Sequence, residues 1–96
     1  MLGQVDEAIK SYKHAIKINP SYAEAHNNLG SIFYRVGKFE DAEASFRQAI
    51  AINPSYADAH NNLGSVFYRV SKFEDAEVSL RQAVAINPSY ADAHRD

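Results

Sequence analysis

The sequence predicts an all-α fold, a solenoid in which helical hairpins stack one on the next, and three observations lead to this prediction. A 34-residue unit repeats, since residues 23–56 and 57–90 differ at six of 34 positions. Apolar residues within each unit recur every three or four positions, as along one face of an α-helix. Each unit ends at a proline, which stops a helix, and these are Pro20, Pro54 and Pro88. A single hairpin of this size cannot bury its apolar face, so successive hairpins must stack.

Two helices in each unit follow from the apolar positions of the first copy. The apolar face of the first helix consists of Ala25, Leu29, Ile32, Phe33 and Val36. That of the second helix consists of Phe39, Ala42, Phe46, Ala49, Ile50 and Ile52. Small residues are expected where two helices approach closely, and they are Gly30, Ala42, Gly64 and Ala76.

The turns of the repeat have their own signals. Gly37 lies between the two helices, where a left-handed residue ends a helix. The second copy has Ser71 there, and keeping the same backbone costs about 1 kcal/mol. Pro54 cannot continue the second helix and restricts Asn53 to extended angles. Ser55 is then expected to cap the next helix.

The predicted elements cover the whole chain as one array. The helices are expected at residues 3–18, 22–36, 39–53, 56–70 and 73–87, with a C-terminal helical stub at 90–95. The register assigns 1–22 to the second helix of a truncated repeat, 23–56 and 57–90 to complete repeats, and 91–96 to the start of a further repeat. Because the first helix of the truncated repeat is missing, we expect Ile9, Tyr12 and Ile16 to be exposed on the N-terminal helix.

Composition excludes several classes of protein. The chain is 46% apolar and 23% charged, as in an ordinary globular protein. A net charge of −2 gives no basic face for nucleic acid. No run approaches the roughly 18 apolar residues of a membrane span, and the N-terminus has no signal-peptide pattern. The absence of cysteine fits the cytosol. We therefore expect a cytoplasmic protein without nucleic-acid or membrane partners.

No candidate catalytic or metal site emerges from the sequence. It has no cysteine, no glycine-rich phosphate loop and no nucleophile elbow. His26, His60 and His94 recur at 34-residue spacing, but equivalent positions on packed helices lie roughly 8–10 Å apart. Two imidazoles sharing one zinc ion must be closer than that. We expect His26 and His60 to fill half-buried slots between helices, and we predict no enzyme activity, metal or cofactor.

The repeat resembles the tetratricopeptide-repeat family. The matching residues are Leu29, Gly30, Phe33, Gly37, Phe39, Ala42, Phe46, Ala49 and Pro54, and the pattern returns from Leu63 to Pro88. His26 and His60 stand where the family often has tryptophan. The resemblance implies a right-handed superhelix and a function in protein–protein interaction.

In this family the first helices line a concave groove that holds ligands. By resemblance, the groove residues here are Glu24, Asn27, Asn28, Ser31, Tyr34, Arg35, Asp58, Asn61, Asn62, Ser65, Tyr68 and Arg69. A carboxamide is both donor and acceptor, so Asn28 and Asn62 are predicted to clamp the backbone of an extended peptide. The motif "HNNLG" resembles the repeat arm of O-GlcNAc transferases, which carries such an asparagine ladder. The alternative is that these asparagines are only solvated.

The resemblance also implies two other possible uses of the fold. Some family members grip an acidic C-terminus with lysine and arginine, but Glu24, Asp58, Asp92 and Asp96 stand where those basic residues would be, and like charges repel. The other use is self-assembly, in which copies stack head to tail through their uncapped ends as a homo-oligomer.

Overall fold

The computed structural model describes residues 2–89, which form five α-helices and no strand. The helices are α1 (Leu2–Ile18), α2 (Ala23–Arg35), α3 (Phe39–Ile52), α4 (Ala57–Arg69) and α5 (Phe73–Ile86). The predicted all-α repeat fold is confirmed, and each helix end lies within one residue of its predicted position. The stub expected at 90–95 falls outside the described residues.

The helices stack in chain order. α2 packs against α3, and α4 against α5, as two hairpins, while α1 contacts α2 and α3 contacts α4. α2 and α4, the first helices of the two hairpins, also contact each other. Two equivalent helices therefore lie side by side, so their corresponding residues share one surface.

Both hairpins turn through a left-handed residue, as predicted. φ is +82° at Gly37 and +65° at Ser71. The same hydrogen bond closes each turn, with Lys38 N–H donating to the Phe33 carbonyl and Lys72 N–H to the Phe67 carbonyl, both at 2.8 Å. The second repeat therefore keeps the backbone that glycine favours although its residue is serine.

The break between repeats is only partly as predicted. Asn53 is extended, with φ −131° and ψ 91°. The expectation that Ser55 caps α4 is wrong, because Tyr56 is the N-cap residue and makes no side-chain capping bond. Instead the Ser55 backbone N–H donates to Asn53 Oδ1 at 3.2 Å. An asparagine oxygen reaches the N–H two residues ahead more easily than a serine hydroxyl reaches the next turn.

The core depends on close helix approach at two glycines. A Cβ atom added to Gly30 would lie 2.7 Å from Phe46 Cε1, and one added to Gly64 would lie 2.9 Å from Leu80 Cδ2. Phe46 is 1% exposed. The core around it contains Leu29, Phe33, Ala42, Phe46, Leu63, Val66, Phe67 and Ala76.

The exposed face expected on α1 is wrong in its details. Ile9, Tyr12 and Ile16 are half-buried and pack against the core, because this stripe faces α2. The uncovered flank of α1 instead carries Ser11 and Ile18, and Ile18 is 72% exposed.

Candidate functional site

The contact between α2 and α4 brings predicted groove residues of both repeats together. A cavity of about 150 Å³ lies between these helices, lined by Ser31, Tyr34, Arg35, Phe46, Asn62 and Ser65. Five of the six were predicted from the sequence as groove residues. The sixth, Phe46, belongs to α3 and is buried in the core. The cavity therefore has a polar, tyrosine-containing wall over an aromatic floor.

The asparagines of this surface differ in their placement. Asn28 is exposed, whereas Asn27 beside it is only 7% exposed. Asn62 Nδ2 donates a hydrogen bond to Asn27 Oδ1 at 3.1 Å. Asn27 thus links the two repeats beneath the surface, whereas Asn28 and the half-buried Asn62 lie closer to the surface.

A tyrosine missed by the sequence analysis lies at the N-terminal end of α4. Burial raises the pKa of Tyr56 above its usual 10.0, and the carboxylates of Glu24 and Asp58 raise it further. A hydrogen bond with the Asn27 side chain acts in the opposite direction. Because both carboxylates act on one hydroxyl, this end of the surface is acidic. The sequence pattern that could have identified this tyrosine is a tyrosine two residues before an acidic residue. It occurs at Tyr22 and Glu24 and again at Tyr56 and Asp58.

These groups line a second, more open hollow at the same end. Its volume is about 560 Å³, and it is bounded by Asn19, Ser21, Tyr22, Ala23, Glu24, Asn53, Tyr56 and Asp58. The hollow joins the loop before α2 to the loop before α4.

The opposite end of the surface is basic and aromatic. The Arg69 guanidinium carbon lies 5.4 Å from the centre of the Phe39 ring and 5.9 Å from that of the Tyr34 ring. The two rings meet edge to face at 5.7 Å. Arg69 of one repeat is therefore held by the aromatic pair of the preceding repeat, a relationship that the sequence analysis did not predict.

The remaining predicted site residues differ in exposure. Exposed residues of the set are Glu24, Asn28, Arg35, Asp58, Tyr68 and Arg69, and half-buried ones are Ser31, Tyr34, Asn61, Asn62 and Ser65. The Ser65 hydroxyl donates to the Asn61 carbonyl at 3.3 Å. The Ser65 O–H group is therefore already used in a hydrogen bond within α4.

Two of the three histidines within residues 2–89, His26 and His60, bond to the loops that precede their helices. Nε2 lies 3.3 Å from the Pro20 carbonyl oxygen in His26 and 2.9 Å from the Pro54 carbonyl oxygen in His60. Both rings are half-buried, as predicted. Residues 2–89 contain no cluster of three potential metal ligands. No helix in this range is long and apolar enough to span a membrane.

Fold and surface together define a helical-hairpin repeat protein whose first helices present a polar groove. A family profile described as "TPR repeat" matches residues 2–37 and again residues 30–71, and a second profile, described as "Tetratricopeptide repeat", matches residues 57–90. The chain belongs to the tetratricopeptide-repeat family. Proteins with this fold are typically interaction modules without enzyme activity.

Two solved structures illustrate the similarity. The first TPR of Spaghetti (RPAP3) bound to the HSP90 peptide SRMEEVD is 29% identical with a TM-score of 0.86, covering 91% of this chain and 69% of that one. MamA is 32% identical with a TM-score of 0.87, covering 95% of this chain, which spans 53% of the MamA chain. Curated proteins gave no match. The finer resemblance to O-GlcNAc transferase repeats stays a prediction.

Proposed function

We propose that this chain binds an extended segment of a partner protein along the groove formed by α2 and α4. The supporting observation is the cavity between these helices, whose lining includes Ser31, Tyr34 and Arg35 from one repeat and Asn62 and Ser65 from the next. A ligand that follows the groove meets equivalent residues at successive repeats. Such periodic contacts suit an extended backbone better than a compact small molecule.

Asn28 and Asn62 are the proposed backbone clamps. Asn28 is exposed on α2, so its carboxamide is accessible to a peptide as donor and acceptor. Asn62 uses an amide N–H for its bond to Asn27. Its side-chain oxygen is then the group best suited to accept from a peptide N–H. The bond to Asn27 also restricts the Asn62 rotamer, which lowers the entropy cost of binding.

The charges at the acidic end of the groove favour a neutral or basic ligand segment beside the N-termini of α2 and α4. Glu24 and Asp58 are both exposed there, and both act on the Tyr56 hydroxyl. An acidic peptide such as the SRMEEVD bound by the Spaghetti (RPAP3) domain would place like charges together, which opposes association. A different partner is therefore proposed for this chain.

Selection from a random-peptide library, followed by calorimetry on the selected peptides, tests this function. The Asn28→Ala/Asn62→Ala variant should lose affinity while its helicity is retained. Gln48→Ala/Gln82→Ala is the matched control, because it removes two exposed carboxamides from α3 and α5. Equal loss of affinity in both variants, or none in either, contradicts the clamp.

Self-assembly is the second candidate function, and an apolar face on the last hairpin favours it. Tyr68 is 64% exposed and Phe73 is 57% exposed at that end. Sedimentation over a wide concentration range distinguishes the candidates, and a strict monomer at high concentration excludes stacking. A cytoplasmic location is proposed together with either function.

A further inference from the structure

We propose that the cleft between α3 and α5 is a docking site for a short amphipathic helix of a partner protein, with the acidic flank of that helix facing α3 and its basic flank facing α5. The cleft is distinct from the groove between α2 and α4, which belongs to the first helices of the two hairpins. It lies between two consecutive hairpins and does not involve either end of the array. The two sites can therefore be tested separately.

The cleft exists because the second helices of the two hairpins do not touch. Within residues 2–89, α4 packs against both α3 and α5, while α3 and α5 make no contact with each other. α4 thus forms a floor between two helical walls. The hollow has a volume of about 450 Å³, and its lining includes Arg47 and Ile50 from α3, Leu63 and Phe67 from α4, and Asp75 and Val78 from α5.

The floor and parts of both walls are apolar. Leu63 and Phe67 of the floor are buried, whereas Val78 on the α5 wall is 57% exposed. Val78 is one of the six positions at which the two repeats differ, and it replaces the smaller Ala44 of the first repeat. Together with Ile50 it extends the apolar floor to the edge of the cleft. A continuous apolar surface with a polar rim is typical of an interaction site.

The α3 wall carries a positioned cation. The Arg47 Nε–H group donates to a carboxylate oxygen of Glu43 at 2.9 Å, and the guanidinium carbon lies 5.6 Å from the centre of the Phe67 ring. Arg47 is nevertheless exposed. Glu43 neutralises part of its charge, but the terminal nitrogens of a guanidinium carry further N–H groups. Because Glu43 and the ring already restrain the side chain, these groups are suited to bind a carboxylate of a ligand.

The α5 wall carries the opposite charge. Asp75 lies in the first turn of α5, is exposed and lines the same cleft as Arg47. Within residues 2–89 it forms no ion pair, either with Arg47 or with another residue. A ligand between the walls therefore meets a cation on one side and an anion on the other. The complementary ligand has acidic residues toward α3 and basic residues toward α5.

The cleft favours a helical ligand over an extended one. Its walls are helices, whose backbone groups bond within each helix except at the ends, and its floor is apolar. An extended segment would leave its own N–H and C=O groups without partners here. A helix satisfies these groups internally and buries only side chains. The groove between α2 and α4 differs, because asparagine and serine side chains line its cavity.

The length of the walls determines the length of the bound segment. Asp75 and Gln82 both line the cleft, and they are separated along α5 by roughly 10 Å at 1.5 Å per residue. Two turns of a ligand helix cover this distance, so its apolar residues are expected at i, i+3, i+4 and i+7. A helix lying in either direction presents one flank to each wall. Acidic and basic residues on opposite flanks therefore satisfy both walls in one of the two directions.

The test uses a synthetic helix of about 14 residues, the length at which an isolated helix begins to be stable, titrated into the full chain. It has leucines at i, i+3, i+4 and i+7, glutamates on one flank and lysines on the other. Amide chemical shifts should change in the parts of α3, α4 and α5 that border the cleft. Peptides with the same leucines but only lysines, or only glutamates, should bind about two- to fivefold more weakly, because each loses an exposed ion pair.

Variants of the chain locate the binding. Val78→Ala should weaken it about three- to tenfold, because two methyl groups leave the contact. Val36→Ala is the control, since Val36 is 40% exposed and does not line the cleft. Arg47→Gln should abolish the preference for the mixed-charge peptide over the all-lysine peptide. Arg81→Gln, which removes the equivalent ion pair with Glu77, should retain it.

The remaining outcomes separate this site from the others. Asn28→Ala/Asn62→Ala should leave binding of the helix unchanged, because neither residue lines the cleft. No binding at millimolar peptide, equal affinity of the three peptides, or shifts confined to α2 and α4 would each overturn the proposal. Self-association of the chain that is lost in Val78→Ala would assign the cleft to a second copy and also overturn it.

Discussion

Asn62 of α4 donates a hydrogen bond to Asn27 of α2 at 3.1 Å, across 35 residues of sequence. Asn27 is also hydrogen-bonded to Tyr56. One nearly buried carboxamide therefore connects the two repeats through two partners, and it lies directly below the proposed groove. The spacing of successive first helices, and hence of the groove residues, depends partly on this link.

Replacing Asn27 with alanine should destabilise the fold by about 1–3 kcal/mol, because buried polar partners lose their hydrogen bonds. Urea unfolding followed by circular dichroism measures the change. Asn28→Ala is the control, because Asn28 is an exposed residue next to Asn27. This substitution should change stability by no more than about 0.5 kcal/mol. Similar effects of the two substitutions would show that the link does not stabilise the fold.

Replacing Ser71 with glycine should stabilise the protein by about 0.5–1 kcal/mol, because φ is +65° there and a side chain in this region is strained. Thermal unfolding detects the difference. The same exchange at Ser11, an exposed position inside α1, should instead destabilise by about 0.5 kcal/mol, since glycine is a poor helix former. A change in stability of the same sign for both substitutions would argue against backbone strain at Ser71.

Gly30→Ala should destabilise by about 1–3 kcal/mol, the usual range for overpacking a core. The added Cβ would lie 2.7 Å from the ring of Phe46, which is 1% exposed and has little freedom to move. Gly3→Ala is the matched exchange, because a Cβ there meets no atom within 4 Å. It should be neutral or stabilising, and denaturant midpoints of the two variants give the comparison.

The deprotonation of Tyr56 should lower the stability of the fold in alkaline solution. Its pKa is raised in the folded state above the usual 10.0, so the folded protein holds the proton more tightly than the unfolded chain. The contribution is complete below pH 10 and declines as the pH rises through the folded-state pKa. Melting temperatures from pH 8 to 11 should therefore fall more steeply for the wild type than for Tyr56→Phe. Equal slopes for the two proteins would show that Tyr56 does not carry this pH dependence.

Reversing the charge at the acidic end should admit an acidic ligand. In Glu24→Lys/Asp58→Lys, affinity for the peptide SRMEEVD should rise by about two- to thirtyfold, since exposed ion pairs contribute about 0.2–1 kcal/mol each. The gain should shrink as salt is added. Glu40→Lys/Glu74→Lys makes the same change of net charge on α3 and α5. If calorimetry shows the same gain in affinity for that variant, the position of the acidic residues does not matter.

The sequence predicted the helices and turns because they depend on local rules. Apolar spacing set each helix, and the left-handed turn followed from Gly37 and carried over to Ser71 by alignment. The face of α1 was predicted wrongly, because spacing shows that Ile9, Tyr12 and Ile16 share a stripe but not which neighbour covers it.

The site was predictable only as a surface. Alignment placed Asn27 and Asn28 together on the first helix, yet one is nearly buried and the other exposed. Periodicity does not distinguish them, because which carboxamide reaches the next repeat depends on the interhelix distance. The stacking of Arg69 on Phe39 was missed for the same reason, since it joins positions 30 residues apart.

The half-buried Leu80 of α5 has a consequence for how the protein opens. In a repeat array, stability is approximately a sum of hairpin terms and nearest-neighbour interface terms, so segments with fewer interfaces exchange their amides first. Leu80 takes the place of the fully enclosed Phe46, and within residues 2–89 α5 contacts α4 alone. Within the same residues α1 likewise contacts α2 alone, so the amides of α1 and α5 should exchange before those of α2, α3 and α4.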